Sequence, residues 1–395
     1  MTPDLPSDTV SDPSGTVALA FSGGLDTTVC VPLLEEEYGY DDVIGVTVDV
    51  GQPRKEFDEA EETAEALGMD HYVVDARAEF ADLCLQSVKA NGTYQGYPLG
   101  TALARPVIAE AILEVAEEQG CTALAHGCTG KGNDQLRFEA VWRASDLDVI
   151  APVRELGLTR EWENEYAEEK GLPVEGGDGG RWSIDTNLWS RSVEGSELED
   201  PAHVPGEEIY DWTQAPGNAE TETLTLAFEE GEAVALDGEE TDAVSLIAEL
   251  NERAGKHGVG RTDTMEDRML GLKVRENYEH PAATVLLNAH EALEGLVLTR
   301  EERAFKQGRD SDYAVYSESA ASFNEEAVTD DIEQNDATGV AKYHGFQSRL
   351  ADRVAESVAA KKAGAAATDG GLASEASSEQ GSDGGQDGET DADSE

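Results

Sequence analysis

Short apolar runs broken by glycine alternate with helical spacings through the N-terminal part of the chain. The run Val17-Ala-Leu-Ala-Phe21 ends abruptly in Ser22-Gly23-Gly24, and a helical pattern follows. A strand, a tight turn and a helix are the elements this predicts. Val43-Ile-Gly-Val-Thr-Val48 reads as a short buried strand. Phe57, Ala60, Ala64 and Leu67 recur at helical spacing, and Gly68 supplies the stop. His71-Tyr-Val-Val74 is another strand. Ile108, Ile112 and Val115 mark a helix closed by Gly120, and Thr122-Ala-Leu-Ala125 is a strand ending at His126-Gly127. This βαβ repetition predicts an α/β fold with a doubly wound parallel sheet. Ligands of such sheets sit beyond the C-terminal strand ends. Ser22-Gly23-Gly24, Asp49-Val50-Gly51 and His126-Gly127 all fall at such ends, so one shared site is expected.

After about Glu161 the texture changes. Trp162 to Lys170 reads as a helix stopped by Gly171-Leu-Pro173, and Gly176 to Gly180 as a loop. Leu224, Leu226 and Phe228 alternate as in a strand, with a turn at Glu229–Glu232 before Ala233-Val-Ala-Leu236. Asp237-Gly238 is a second turn signal, and a helix is expected from about Ala243 to Arg253. These elements predict a second, α+β domain. Phe346, Leu350, Val354 and Val358 recur every four residues, a stripe suited to packing on a partner or on the chain's own core. From about Ala363 the composition is that of a disordered tail. The expected divisions are therefore 1–160, 161–335, a terminal helix at 336–362 and an acidic tail at 363–395.

Charge changes the picture next. Acidic residues number 84 against 28 basic ones, for a net charge of −56. Asp369 to Glu395 is acidic without a basic residue, yet the rest of the chain stays strongly negative. Such self-repulsion disfavours a compact state in dilute salt. In molar salt the Debye length falls to about 3 Å and the repulsion is screened. A cytoplasmic protein of a high-salt interior is the expectation. No Lys/Arg cluster or basic stripe suggests nucleic acid as a partner. Cys30, Cys84, Cys121 and Cys128 are scattered without a Cys-x-x-Cys pair, which argues against zinc and a disulfide framework. The first residues are acidic and lack the apolar core of a signal peptide, and no apolar stretch is long enough to span a bilayer.

Two constellations carry candidate chemistry. Backbone N–H groups at the Ser22-Gly23-Gly24 turn, with the positive end of the following helix, form an anion site. No Gly-Lys-Ser/Thr follows, so this is not a Walker A loop. It resembles the pyrophosphate-binding loop of the N-type ATP pyrophosphatases. The second constellation is His126-Gly-Cys-Thr-Gly-Lys-Gly-Asn-Asp-Gln135. Its glycines leave backbone open to a ligand, and Thr129, Lys131, Asn133 and Asp134 bring a hydroxyl, a cation, an amide and a carboxylate close together. Arg105, Lys131 and Arg137 are local cations expected near anionic substrates.

Taken in order, the motifs resemble the argininosuccinate synthase family. Tyr94-Gln-Gly-Tyr-Pro-Leu-Gly-Thr-Ala-Leu-Ala-Arg-Pro106 is similar to that family's third motif, and Trp182 to Leu188 with Ser192-Val-Glu-Gly195 to its fourth. His257 to Arg261, Glu266-Asp-Arg268 and Tyr278-Glu-His-Pro281 are similar to its fifth. The resemblance runs from Val17 to about Gln307. It implies condensation of L-citrulline with L-aspartate at the expense of ATP, through a citrullyl-adenylate, in arginine biosynthesis. It also implies a nucleotide-binding domain, a synthetase domain and a C-terminal helix that helps build a homotetramer.

Carried over, Ala20, Phe21, Ser22, Gly23, Gly24, Leu25, Asp26, Thr27 and Thr28 hold ATP, with Val48 beside the adenine. His126, Gly127, Gly130 and Gly132 also contact ATP. Tyr97, Arg137, Ser183, Ser192, Glu266 and Tyr278 bind citrulline, and Ala102, where some relatives carry serine, contributes backbone only. Thr129, Asn133 and Asp134 bind aspartate, Asn133 touching citrulline too. Asp26, Lys131, Asn133 and Asp134 are the residues expected to carry catalysis. Magnesium is implied by the nucleotide, with no protein ligands assigned.

One departure stands out at Lys306-Gln-Gly-Arg-Asp310. The family carries several dozen residues here, whereas this chain passes directly to Ser311-Asp-Tyr-Ala-Val-Tyr316, a later piece of the pattern. Loss of a helix and a strand is the expectation, leaving an apolar face uncovered. Two other readings stay open: another ATP pyrophosphatase that adenylates a carbonyl, and a homologue that keeps ATP binding without turnover.

Overall fold

The computed structural model describes residues 14–130, 133–174, 181–215, 221–267 and 273–319. The expected terminal helix at 336–362, the tail at 363–395, the loop at Gly176–Gly180, and Lys131 and Gly132 lie outside the described residues.

The N-terminal half builds in chain order β1 (Thr16–Ala20), α1 (Leu25–Glu36), β2 (Asp42–Asp49), α2 (Arg54–Leu67), β3 (Asp70–Asp75), α3 (Arg77–Lys89) and α4 (Gly100–Gln119). It continues with β4 (Ala123–His126), α5 (Asp134–Trp142), β5 (Asp148–Ile150), α6 (Pro152–Glu155) and α7 (Arg160–Lys170). The five strands form a parallel sheet of order β3-β2-β1-β4-β5. Alternation sends successive side chains to opposite faces. Val17 and Leu19 of β1 join the core under α1 and α7, while Ala18 joins the core under α3 and α4. Burial on both faces is why β1, β2 and β4 read as continuous apolar runs. Gly68, Gly120 and Gly171 all end their helices in left-handed caps, as their positions in the sequence predict. The order reverses between β1 and β4, so the crevice outside their C-terminal ends is the topological switch point.

The second half contributes β6 (Ser183–Thr186), β7 (Arg191–Glu194), β8 (Leu226–Glu229), β9 (Glu232–Leu236), β10 (Glu239–Glu240) and α8 (Ala243–Lys256). β11 (Arg261–Asp267), β12 (Lys273–Glu279), α9 (Pro281–Val297) and α10 (Arg300–Ser319) follow. β8 to β10 form a small antiparallel meander, and β11-β12-β7-β6 an antiparallel sheet. The Asp237-Gly238 turn has φ of 52° and 87°, both residues left-handed as a tight hairpin turn requires.

Several elements differ from the sequence expectation. α3 is not among the expected elements although Phe80, Cys84, Leu85 and Val88 recur at helical spacing, whereas β5 and the whole β11-β12-β7-β6 sheet carry no clear apolar period. In that sheet the reason is physical: one face is polar because it lines the cleft. Leu224 lies before β8 rather than in it. α7, which the change of texture near Glu161 assigned to the second domain, packs with Tyr166 and Ala167 in the core under α1. Around the shortened position, α10 runs unbroken from Arg300 through Gly308 to Ser319. Lys306 before that point pairs with Asp310 after it at 2.7 Å, an i,i+4 ion pair that supports the continuous helix. Leu296, Val297 and Phe305 near the α9–α10 turn are exposed.

Candidate active site at the switch point

Past the end of β1 the chain turns through Ser22-Gly23-Gly24 into α1. Gly24 is the N-cap residue, and no side chain caps the helix. The first N–H groups of α1 therefore face the crevice with the positive helix end behind them. Hydroxyls brace the loop: Ser22 Oγ lies 3.2 Å from Thr27 Oγ1, Thr27 donates to the Gly24 carbonyl at 3.2 Å, and buried Thr28 donates to the Gly23 carbonyl at 3.3 Å. Gly23 has φ of 74°, and a Cβ there would stand 2.8 Å from Ala60 Cα on α2. Its glycine is thus demanded by packing, whereas Gly24 has room for a Cβ beside Ser22 Oγ at 3.4 Å. Arg160 of α7 donates to Asp26 across the mouth of the loop.

The loop after β4 lies against this turn. A Cβ on Gly127 would stand 3.1 Å from the Asp26 carbonyl carbon, so the two motifs touch through backbone. The Cys128 amide donates to His126 Nδ1 at 3.2 Å, which leaves Nε2 as the donor to Glu139 at 3.2 Å. Arg154 also donates to Glu139 and fixes this buried corner.

Asp134, the first residue of α5, bridges two arginines. Arg105 Nε donates to its Oδ2 at 2.9 Å and Arg137 Nη1 to its Oδ1 at 3.0 Å. Desolvation raises the Asp134 carboxyl, but the Arg105 and Arg137 guanidiniums override it and hold it below the usual carboxylate range. Arg105 also reaches Asp185 at 3.2 Å, which in turn accepts from Thr101 at 2.7 Å.

Tyr97 is placed by a tight turn. Tyr94 and Tyr97 exchange backbone hydrogen bonds of 2.8 and 2.9 Å, with Gln95 and Gly96 at φ of 51° and 93°. The Tyr97 hydroxyl accepts from the Thr101 amide at the start of α4. Its ring stacks on Tyr278 of β12 with centroids 4.4 Å apart and planes at 17°. Tyr278 donates to Glu266 of β11 at 3.0 Å.

Strand register explains the remaining wall. Tyr278 pairs with Ser192 and Ser192 with Asp185, so one row crosses the sheet. Ser183, Glu194 and Glu276 lie two residues from members of that row and share its face. All of these residues line a cleft of about 820 Å³, together with both loops.

The structure thus brings most of the expected site residues together. Ala20, Phe21, Ser22, Gly24, Leu25, Asp26, Thr27, Val48, His126, Gly127 and Thr129 line the cleft. So do Tyr97, Asn133, Asp134, Arg137, Ser183, Ser192, Glu266 and Tyr278. Gly23, Thr28, Ala102 and Gly130 are not among the lining residues. Gly23 and Thr28 shape the loop from behind, and the buried Ala102 amide faces the Tyr97 hydroxyl at 3.4 Å.

Sequence reasoning missed Thr101, Asp185, Glu194 and Glu276, for which the spacing Ser183-x-Asp185, Ser192-x-Glu194 and Glu276-x-Tyr278 was the available signal. It also missed Arg160, Glu56 and Glu318, which reach the cleft only through tertiary packing.

Glu163 of α7 carries a pH dependence. Its side chain is buried with Oε1 lacking a hydrogen-bond partner. Burial, and then repulsion from Asp26, push its carboxyl up to about 7, Arg160 opposing. A raised acid binds more protons folded than unfolded, so its contribution favours the fold below the ordinary carboxylate range. That contribution is lost as pH rises through about 7. Glu163→Gln is therefore expected to raise Tm by about 2 °C or more at pH 8, with little change at pH 4.5. Equal shifts at both pH values in thermal melts contradict this.

A doubly wound sheet with an uncapped helix N-terminus and a second glycine-bearing loop at its switch point defines a nucleotide-binding α/β protein. Comparison with known proteins narrows the class. Residues 16–173 match the family model described as the arginosuccinate synthase N-terminal HUP domain, and residues 182–308 the arginosuccinate synthase C-terminal domain. The chain belongs to the argininosuccinate synthase family. It is 68% identical to the argininosuccinate synthase of Haloarcula marismortui, over 86% of this chain and 93% of that one. It is 66% identical to that of Natronomonas pharaonis, over 86% of this chain and 97% of that one. The relative from Halobacterium salinarum is 65% identical, over 86% of this chain and 98% of its own. The first of these alignments spans 391 positions while taking in 86% of a 395-residue chain, so several dozen positions face a gap in this chain.

Proposed function

We propose that this protein joins L-citrulline and L-aspartate into argininosuccinate, converting ATP to AMP and pyrophosphate. The observation that carries this reading is the single cleft built from both family-matched segments. Ser22, Asp26, Thr27, Thr129, Asn133, Asp134 and Arg137 come from the first, and Ser192, Glu266 and Tyr278 from the second.

The ureido oxygen of citrulline is a weak nucleophile, and its carbon lacks a good leaving group. Attack of that oxygen on the α-phosphorus forms a P–O bond, breaks the α–β anhydride and releases pyrophosphate. The aspartate amine then attacks the activated carbon, loses a proton, and AMP leaves with the ureido oxygen. The chain's contribution is positioning and charge stabilisation. The Ser22–Gly24 turn and the α1 N-terminus receive the departing pyrophosphate, with Asp26 and Arg160 at the loop mouth. Ala20 to Thr28, His126, Gly127, Gly130 and Gly132 form the nucleotide cradle, with Val48 at its adenine side. Tyr97, Arg137, Ser183, Ser192, Glu266 and Tyr278 take citrulline, and Thr129, Asn133 and Asp134 take aspartate. Lys131 supplies a further cation from the same loop.

Magnesium fits as the nucleotide's companion. Among the described residues no three His, Cys, Asp or Glu side chains converge as a ready metal site, and magnesium commonly arrives on substrate phosphates with few protein ligands. Its chemistry there would be neutralisation of phosphate charge.

Citrulline labelled with ¹⁸O in the ureido group tests the chemistry: the label is expected in AMP. Label retained in an amino-acid product, with unlabelled AMP, refutes adenylation of that oxygen.

The reading extends to a homotetramer working in a salty cytoplasm. Supporting it are the net charge of −56 and the relatives from Haloarcula, Natronomonas and Halobacterium. No described helix is long and apolar enough to cross a membrane. The packing of α7 with α1 supports a division between nucleotide-binding and synthetase parts after Lys170 rather than at 160. Tm is expected to rise by about 10 °C or more between 0.1 and 3 M KCl as self-repulsion is screened. A melt that is independent of salt contradicts the halophilic reading.

A further inference from the structure

Glu318 sits near the end of α10, beyond residue 308 where the match to the C-terminal family domain stops. Its side chain is buried against the cleft wall. Arg137 Nη2 donates to its Oε1 at 2.8 Å, and Asn133 Nδ2 donates to the same oxygen at 3.0 Å. Arg137 Nη2 also lies 3.3 Å from the Glu318 backbone carbonyl. The other carboxylate oxygen, Oε2, is buried and has no hydrogen-bond partner. Burial first, and then the Glu318 charge, push up the hydroxyls of Tyr94 and Tyr97, so the carboxylate stands beside the aromatic wall as well.

This arrangement is that of a bound acid. A guanidinium and an amide N–H grip one carboxylate oxygen inside a cleft assigned to amino-acid substrates. A substrate carboxylate on this side of Arg137 needs the same Nη2 and Asn133 donors, because Nη1 is already taken by Asp134, so Glu318 and the substrate carboxylate compete for one seat. The unpartnered Oε2 marks the Glu318 seat as incompletely satisfied, and a buried unpaired carboxylate oxygen is unfavourable.

The rest of α10 is tethered elsewhere. Lys306 pairs with Glu294 of α9 at 2.7 Å, Asn91 donates to Asp310 at 2.9 Å, and Arg303 pairs with Glu291 at 2.9 Å. Tyr313 and Ala314 pack on the core. The first half of α10 can stay docked while its last turn swings out.

We propose that Glu318 is an internal substrate mimic: its carboxylate occupies the citrulline carboxylate's place on Arg137, and the last turn of α10 must withdraw before citrulline binds. The inference rests on the reading of this cleft as the citrulline site. The chain pays in apparent affinity by the fraction of molecules in which the seat is free.

Calorimetric titration of the full-length protein with L-citrulline in molar KCl, with ATP absent, tests it. Glu318→Gln keeps the volume but removes the charge, and Glu318→Ala vacates the seat. Both are expected to bind citrulline about tenfold more tightly than the parent, with ATP affinity unchanged and melting still cooperative. Hydrogen exchange of the parent is expected to quicken at residues 314–319 when citrulline is added. Equal or weaker citrulline affinity in both variants, with that exchange unchanged in the parent, overturns the mimic while leaving the site reading intact. ATP binding without citrulline binding in any of the three proteins overturns the site reading and the mimic together.

Discussion

Asp134→Asn protein is expected to release pyrophosphate about a hundredfold more slowly than the parent while remaining folded in molar KCl. The Asp134 carboxylate is the joint of the site: one oxygen accepts from Arg105 and the other from Arg137. Asparagine keeps the shape and loses the charge, and its amide nitrogen presents N–H groups to a guanidinium that has none to accept them. Arg137 is buried and keeps Glu318, whereas Arg105 keeps Asp185 alone. The lost charge-assisted bonds cost about 2 kcal/mol of stability, or roughly 5 °C in Tm. Activity is expected to fall further than stability because the one carboxylate that holds Arg105 and Arg137 in a fixed mutual arrangement is lost. Parallel melts and pyrophosphate assays check this. A variant with near-parental turnover shows that the bridge is structural only.

Gly23→Ala is expected to give the second large effect, and Gly24→Ala separates its causes. Alanine at 23 meets Ala60 Cα at 2.8 Å with φ of 74°. The left-handed backbone costs about 1 kcal/mol and the backbone clash about 1–3 kcal/mol more. The loop must shift, and ATP affinity is expected to fall more than tenfold along with Tm. Alanine at 24 meets only Ser22 Oγ at 3.4 Å, so Tm is expected to hold while ATP affinity falls by crowding of the anion seat. Equal melting of Gly23→Ala and the parent contradicts the packing argument. Parental ATP affinity in Gly24→Ala removes the turn from the nucleotide site.

The parallel sheet was legible because its central strands are buried on both faces and three of its helices end in glycine. Val17–Phe21, Val43–Val48 and the Gly68, Gly120 and Gly171 stops each say so locally. The two loops were legible because glycine, hydroxyl and carboxylate are dense in Ser22–Thr28 and Thr129–Asp134. The β11-β12-β7-β6 sheet was not, since Asp185, Ser192, Glu194 and Glu276 place polar groups where an apolar period would mark a buried face. Only register, with Tyr278 opposite Ser192 and Ser192 opposite Asp185, shows that these residues form one surface. Glu318 was invisible for a different reason. Nothing local distinguishes it among the acids of so acidic a chain, and its meeting with Arg137 spans 181 residues. Shortening near Gly308 was readable as a break in pattern, but the unbroken helix that spans it required the structure.

The most direct test is pyrophosphate release from ATP in molar KCl, first with citrulline alone and then with aspartate added. The account predicts release that requires citrulline, followed by AMP and argininosuccinate once aspartate is present. A folded protein that binds ATP yet releases no pyrophosphate under either condition contradicts it, and marks the chain as a homologue that keeps the nucleotide site without turnover.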